Sequence, residues 1–262
     1  MSLSDEGLAQ AYNNRGAASN LRGDYDRAID DLNEAIRLDP KFAMPHLNRG
    51  LSYIGKGDYQ RAIGEYDEAI RLDPKYARAY AARGNAYSAE KNYDHAIADL
   101  DEAVRFDPKL AAAYNSRGRV YERKGDYDRA IADRSTAILL APQNAAYLNS
   151  RCWLRALVGR DLQGALTDCN ESLRLRSGDA DALNSRALVE LRLGTFDKAI
   201  EDYGLALAKH GGDADSLYGR GIAKIKAGDA EGGNADIAAA KAIKSDIADA
   251  HAWLGQQATS AQ

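Results

Sequence analysis

Cysteine is nearly absent: Cys152 and Cys169 are the two in 262 residues, too few for a disulfide-stapled scaffold, and neither sits in a C-x-x-C or Cys/His metal spacing. No apolar run approaches the roughly 20 residues that span a bilayer, so membrane insertion is not expected. Met1–Gln10 carries Asp5 and Glu6 where an export signal shows positive charge and then an apolar stretch, which points to a cytoplasmic protein. Met1-Ser2-Leu3 reads equally as an added start in front of a chain whose own leader has been removed. Basic excess is missing too: 35 Lys+Arg against 39 Asp+Glu leave a net charge of −4, with no basic stripe interleaved with aromatics, so nucleic acid is a poor partner. The four histidines, His46, His95, His210 and His251, are scattered without metal-ligand spacing, and no glycine-rich phosphate loop ends in Lys-Ser/Thr. No catalytic residue, metal or cofactor is expected.

Phenylalanine and tryptophan are scarce, at 3 and 2, but tyrosine numbers 15, and such bias signals a repeated motif. Gly16, Gly50, Gly84 and Gly118 recur every 34 residues, as do Ala28, Ala62, Ala96 and Ala130, and Pro40, Pro74, Pro108 and Pro142. The units are Ala9–Phe42, Ala43–Tyr76, Ala77–Leu110, Ala111–Asn144, Ala145–Asp179, Ala180–Asp213 and Ala214–Ile247, with an extension over 1–8 and a tail over 248–262. Each unit reads as two helices. In Ala77–Glu90 the three-to-four-residue spacing of Tyr80, Gly84 and Tyr87 predicts one buried face. A Gly-Asp turn such as Gly125-Asp126 leads to a second helix, Tyr127–Leu140, stopped by Pro142. Glycine at position eight and alanine at position twenty let the two backbones approach closely, because neither side chain holds them apart.

At these residues the chain resembles the tetratricopeptide repeat family, whose pattern is W-x2-L-G-x2-Y, then A-x3-F, then P. Repeat three supplies Tyr80, Arg83, Gly84, Tyr87, Ala96, Leu100, Ala103 and Pro108. The resemblance implies an all-α, right-handed superhelical solenoid of antiparallel helix pairs with a concave binding face.

The later units depart from the pattern. Repeat five has Cys152 for the glycine and one extra residue around Gly159–Gly164, so Ala165 takes the helix B alanine's place; repeat six has Ala187 for Gly and Gly211 for Pro. Repeat seven carries Gly232-Gly233 in its second helix, which is expected to be short or frayed, since an interior glycine costs about 1 kcal/mol relative to alanine. Ala248–Gly255, with Trp253, is expected to be a helix capping the open end.

Position seven, leucine in the family, is Arg15, Arg49, Arg83, Arg117, Arg151, Arg186 and Arg220, and position twenty-three is Asp31, Glu65, Asp99, Asp133, Asp168, Asp202 and Asp236. Charges repeated at fixed places in adjoining helices predict a structural ladder of guanidinium–carboxylate pairs, within one repeat or between neighbours, rather than seven free phosphate-binding arginines. Cys152 and Cys169 fall at positions eight and twenty-four of one repeat and face each other. Two small apolar core residues are the favoured reading, and a disulfide, which needs close approach and an oxidising compartment, is the alternative.

In the family the inner face is lined by helix A at positions two, five, nine, twelve and thirteen. Mapped here, the richest stretch holds Arg78, Asn85, Asn115, Arg119, Arg123, Asn149, Trp153 and Asn184, polar groups suited to a peptide backbone beside one aromatic anchor. The carboxylate clamp of chaperone-binding members would fall on Asn13, Ala17, Asn48, Arg78 and Ala82, where only Asn48 and the charge of Arg78 match. The asparagine row of arrays attached to O-linked N-acetylglucosamine transferases is matched here only by Asn14 and Asn48. The expectation is a protein-interaction scaffold binding a peptide or helical segment of a protein partner. The alternatives are a targeting module belonging to a larger enzyme and a self-associating array.

Overall fold

The computed structural model describes residues 4–251, which form helices joined by short turns, without a strand among the described residues. Contacts divide the chain into two compact units, Met1–Leu140 and Ala141–Gln262. Unit 1 holds α1 (Asp5–Arg22), α2 (Tyr25–Leu38), α3 (Ala43–Gly55), α4 (Tyr59–Leu72), α5 (Ala77–Ala89), α6 (Tyr93–Phe106), α7 (Ala111–Arg123) and α8 (Tyr127–Leu140). Unit 2 holds α9 (Ala145–Val158), α10 (Leu162–Leu175), α11 (Ala180–Leu193), α12 (Phe196–Lys209), α13 (Ala214–Lys226), α14 (Ala230–Ile243) and α15 (Ile247–Ala250). Among the described residues no helix is long and apolar enough to cross a membrane.

Within each unit, consecutive helices pair as A and B of a hairpin, each B helix packs on the next A helix, and the A helices also touch one another in order, α1 to α7 and α9 to α13. The repeat's small residues create that packing. A Cβ on Gly84 would stand 2.9 Å from Leu100 Cγ and 3.0 Å from the Ala96 carbonyl oxygen, so only glycine lets α5 lie against α6. Ala28, Ala62, Ala96, Ala130, Ala165 and Ala199, all at position twenty, are fully buried in the same contact. The turn between A and B helices needs a left-handed residue at position fifteen. Gly125 meets it with φ 78°, whereas repeat three places Lys91 there with φ 62°.

Three expectations change, and a fourth lies largely outside the described residues. α1 begins at Asp5 because Ser4 caps it, accepting from the Gly7 amide, so part of the expected extension is the first turn of a helix. α14 is neither short nor frayed: it spans 14 residues like the other B helices of unit 2. Its two glycines lie in the first turn, not the interior. Asp229 caps the Gly232 amide, and Gly233 is where α14 meets α13, since a Cβ there would stand 2.6 Å from the Gly221 carbonyl oxygen. The chain end shows a single turn, α15, with Ile247 fully buried beside Ala214 and Ala240; Trp253 and the rest of the expected cap lie outside the described residues. Finally, Cys152 and Cys169 are joined in a disulfide rather than packed as two thiols. Cys152 occupies the close-approach position of α9, and the 5.6 Å between Cα atoms suits a bridge between two completely buried residues.

Candidate functional site

The regular charges sit between helix A and helix B of one repeat. Arg83 is typical: Nε donates to Asp99 Oδ2 at 2.8 Å and a terminal nitrogen to Oδ1 at 2.7 Å, the planar fork meeting a carboxylate. Arg15–Asp31, Arg117–Asp133, Arg151–Asp168, Arg186–Asp202 and Arg220–Asp236 repeat this two-pronged geometry, and Arg49 bonds Glu65 at 2.8 Å. The carboxylate belongs to the arginine's own repeat in all seven. A remaining nitrogen reaches back one repeat, from Arg49 to Asn33 (2.6 Å), Arg83 to Asp67 (2.5 Å), Arg117 to Asp101 (2.7 Å) and Arg186 to Asn170 (3.0 Å). One side chain thereby ties a hairpin together and tethers it to its neighbour. Arg83 and Arg117 are held well above the ordinary arginine value, first by the hydrogen bonds to Asp99 and Asp133. Burial acts to raise the Glu65 carboxyl, but His46 and Arg49 bring it below its ordinary value. Arg15, Arg83 and Arg117 also lie over Tyr12, Tyr80 and Tyr114, at 5.0, 5.6 and 5.5 Å from the ring centroids.

In unit 1 the neighbouring A helices share a face. Asn48 Nδ2 donates to Asn13 Oδ1 at 2.8 Å, Ser52 Oγ to Asn20 Oδ1 at 2.7 Å, and Asn20 Nδ2 to the Asn48 carbonyl at 2.8 Å. Further along, Arg119 donates to Asn85 Oδ1 at 3.0 Å, and Arg123 to the carbonyl and hydroxyl of Ser88, each at 3.2 Å. These bonds place Asn85, Arg119 and Arg123 together. Arg78, on the same helix as Asn85, is exposed, and Asn115 on α7 is half-buried with its Oδ1 enclosed and without a hydrogen-bond partner.

The distinguishing property of this face is its unpaired positive charge. Arg78, Arg119 and Arg123 have no carboxylate partner among the described residues, whereas every other arginine of unit 1 except Arg27 has one. Arg119 is pushed below the ordinary arginine value, first by desolvation and then by Arg123 and Arg134. Arg134, in the core position of repeat four that holds Leu100 in repeat three, is itself buried and bonded to Glu122.

The other expected groove residues belong to unit 2. Asn149 has an enclosed Oδ1 without a partner, like Asn115. Trp153 packs half-buried against the core around Cys152 and Leu188. Asn184 is occupied at the start of α13, donating to Oδ2 of its N-cap residue Asp213 at 3.2 Å and accepting from Ser216 Oγ at 2.5 Å.

Sequence reasoning passed over Glu190, a buried carboxyl on α11 pushed up to about 7 by burial and then by Asp202. The signal was present at position eleven, where repeats five and seven carry cations, Arg155 and Lys224, that reach the ladder acids Asp168 (3.1 Å) and Asp236 (2.9 Å). It also passed over the apolar end of the unit 1 face, where Leu21 and Met44 join Leu51 as exposed side chains at lining positions. Among the described residues no group of three or more His, Cys, Asp or Glu could hold a metal ion.

Sequence models of the tetratricopeptide repeat match residues 9–42, 47–111, 100–132 and 154–216. No curated protein matches the chain. Among solved structures, a chain of the APC/C hetero-tetramer Cut9–Hcn1 superposes with a TM-score of 0.76 at 17% identity, over 93% of this chain and 48% of that one. This chain thus spans about half the length of that relative. PilF of Pseudomonas aeruginosa superposes at 0.73 and 18% identity, over 82% and 97% of the two chains. YrrB, described as a tetratricopeptide repeat protein with an unusual peptide-binding site, superposes at 0.57 and 22% identity, over 71% and 95%.

Proposed function

Because the chain belongs to the tetratricopeptide repeat family, a fold that serves generally as a protein-interaction scaffold, we propose that its A-helix face binds a peptide or helical segment of a protein partner. One observation carries the reading. The fold pairs most of unit 1's arginines with carboxylates and, apart from Arg27 on a B helix, leaves unmatched only Arg78, Arg119 and Arg123, on adjacent A helices. Charges satisfied internally serve architecture; charges left over on an accessible face are available to a ligand. The unusual peptide-binding site ascribed to YrrB supports peptide capture as a use of this fold. The proposed role is non-enzymatic, in keeping with the general use of this fold as a non-catalytic scaffold.

The test is affinity capture from a lysate of the source organism with the wild-type chain and with an Asn115→Ala, Arg119→Glu, Arg123→Glu variant. A protein retained by the first and lost from the second supports the face as the binding surface; identical captures reject it. A second reading is a recognition module within a larger protein, and the length of the encoded gene product decides it. Self-association through an open end of the array predicts a mass that rises with concentration in light scattering. Against the expected cytoplasmic residence stands the Cys152–Cys169 bridge, which favours an oxidising compartment. Fractionation followed by thiol labelling separates the two.

A further inference from the structure

The unit 1 face is not uniform along its length. At its N-terminal end three large apolar side chains stand in solvent at lining positions: Leu21 on α1, 91% exposed, and Met44 and Leu51 on α3, 40% and 44% exposed. At its C-terminal end stand Arg78 on α5 and Arg119 and Arg123 on α7. Met44 belongs to the same continuous face, since its sulfur accepts from Asn13 Nδ2 at 3.4 Å across the α1–α3 contact. The face is therefore divided, apolar on repeats one and two and cationic on repeats three and four. Each half is costly to leave uncovered: the first keeps apolar surface in water, and the second crowds guanidinium groups beside which the one nearby carboxylate on α7, Glu122, is already paired with Arg134.

We propose that this face takes a bipartite peptide segment, apolar at one end and acidic at the other, its apolar side chains against Met44 and Leu51 and its carboxylates against Arg119 and Arg123. The inference rests on the reading of this face as the binding surface and specifies what that surface selects. Carboxylates are the matching groups because Arg119 and Arg123 sit one turn apart on α7 and direct donors to Asn85 and Ser88, weak neutral acceptors that a carboxylate outcompetes. An anion alone leaves the apolar half uncovered, which is why a peptide fits better than a nucleic acid backbone. Helices in contact lie about 10 Å apart, so α3 and α7, two A-helix steps from each other, are about 20 Å apart. An extended chain crosses that span in about six residues. The acidic cluster and the apolar residues of the ligand should be separated by about that number.

The experiment is a selection of random 16-residue peptides displayed on phage against the full chain, followed by affinity measurements on the recovered peptides. The comparison set is the wild type, Arg119→Glu/Arg123→Glu, Met44→Glu/Leu51→Glu, and Arg27→Glu, which alters the unpaired arginine lying off this face. All substituted side chains are exposed, and circular dichroism melts verify that the variants fold. The expected result is enrichment of peptides with two or more Asp or Glu about six positions from Leu, Ile, Phe or Met. Each face variant should weaken them at least tenfold, Arg27→Glu should leave them unchanged, and wild-type affinity should fall between 50 and 300 mM salt. Neutral peptides that lose binding only with Met44→Glu/Leu51→Glu keep the face as the surface and overturn its acidic selectivity. Peptides indifferent to both face variants overturn the binding surface itself, as does a selection that enriches nothing. Binding of a labelled oligo-dT of 20 nucleotides that depends on Arg119 and Arg123, with no peptide enriched, overturns the peptide proposal in favour of a polyanion surface.

Discussion

Glu190 shows how one residue can work against an otherwise regular pattern. Its neighbours in the register, Arg155 and Lys224, bring a second cation to the ladder acid, whereas Glu190 brings a carboxyl into a site already holding Asp202. Arg186 and Lys198 offset this only in part, and the carboxyl, 6% exposed, is pushed up to about 7 from the ordinary 4.5. A raised acid means that the folded chain holds a proton the unfolded chain has released. The stabilising effect is complete below about pH 4.5 and is lost as pH climbs through about 7, by up to about 3 kcal/mol. Glu190→Gln should therefore melt higher than the wild type at pH 8 and almost together with it at pH 5, as calorimetry at the two values can determine. A wild-type advantage at pH 8 would contradict the burial argument. The ladder itself was legible at this scale, because positions seven and twenty-three repeat without exception. Which carboxylate each arginine meets was not, since the spacing allowed the same repeat or the next, and the guanidinium turned out to reach its own repeat with two nitrogens and the preceding one with a third.

At the scale of the helix pair, α13 and α14 show why composition alone misjudged an element. Two successive glycines lower helix propensity, yet α14 is full length, because one glycine sits beneath the Asp229 cap and the other at the crossing with Gly221. The two should respond oppositely to alanine. Gly233→Ala forces a methyl group onto the Gly221 backbone and should destabilise by about 1–3 kcal/mol in urea unfolding, more than the better propensity returns. Gly232→Ala meets only the movable Asp229 side chain and should be neutral or slightly stabilising. Equal effects at the two positions would show that propensity, not the helix crossing, governs this hairpin. A pattern of single residues reports which positions are small; it does not report which of two adjacent small residues faces the partner helix.

For the molecule as a whole, the disulfide sets an asymmetry between the units. It closes a stretch with a sequence separation of 17 between α9 and α10, and removing such a loop constraint costs about 3 kcal/mol. In a stack where each repeat touches only its neighbours, that loss stays local. Reduction should raise amide exchange in α9–α12 and leave α1–α6 unchanged, which mass spectrometry of exchange with and without reductant can read. Uniform change across the chain would mean that the repeats unfold as one cooperative body. Two free thiols in the denatured, unreduced protein would remove the bridge and this expectation with it.

The repeat register, the helix-pair architecture and the alignment of seven arginines with seven acids were all contained in the residue order, because each depends on periodicity: a small residue every 34 positions, a turn between, a proline after. What needed three dimensions was everything that depends on which side chains are left over once the periodic ones have paired. The unmatched charge of Arg78, Arg119 and Arg123, the apolar end of the same face, the proton held on Glu190 and the bridge between Cys152 and Cys169 are properties of neighbourhood. Neighbourhood follows from how helices cross, since residues distant in the chain share a surface or a buried contact only after the helices have packed.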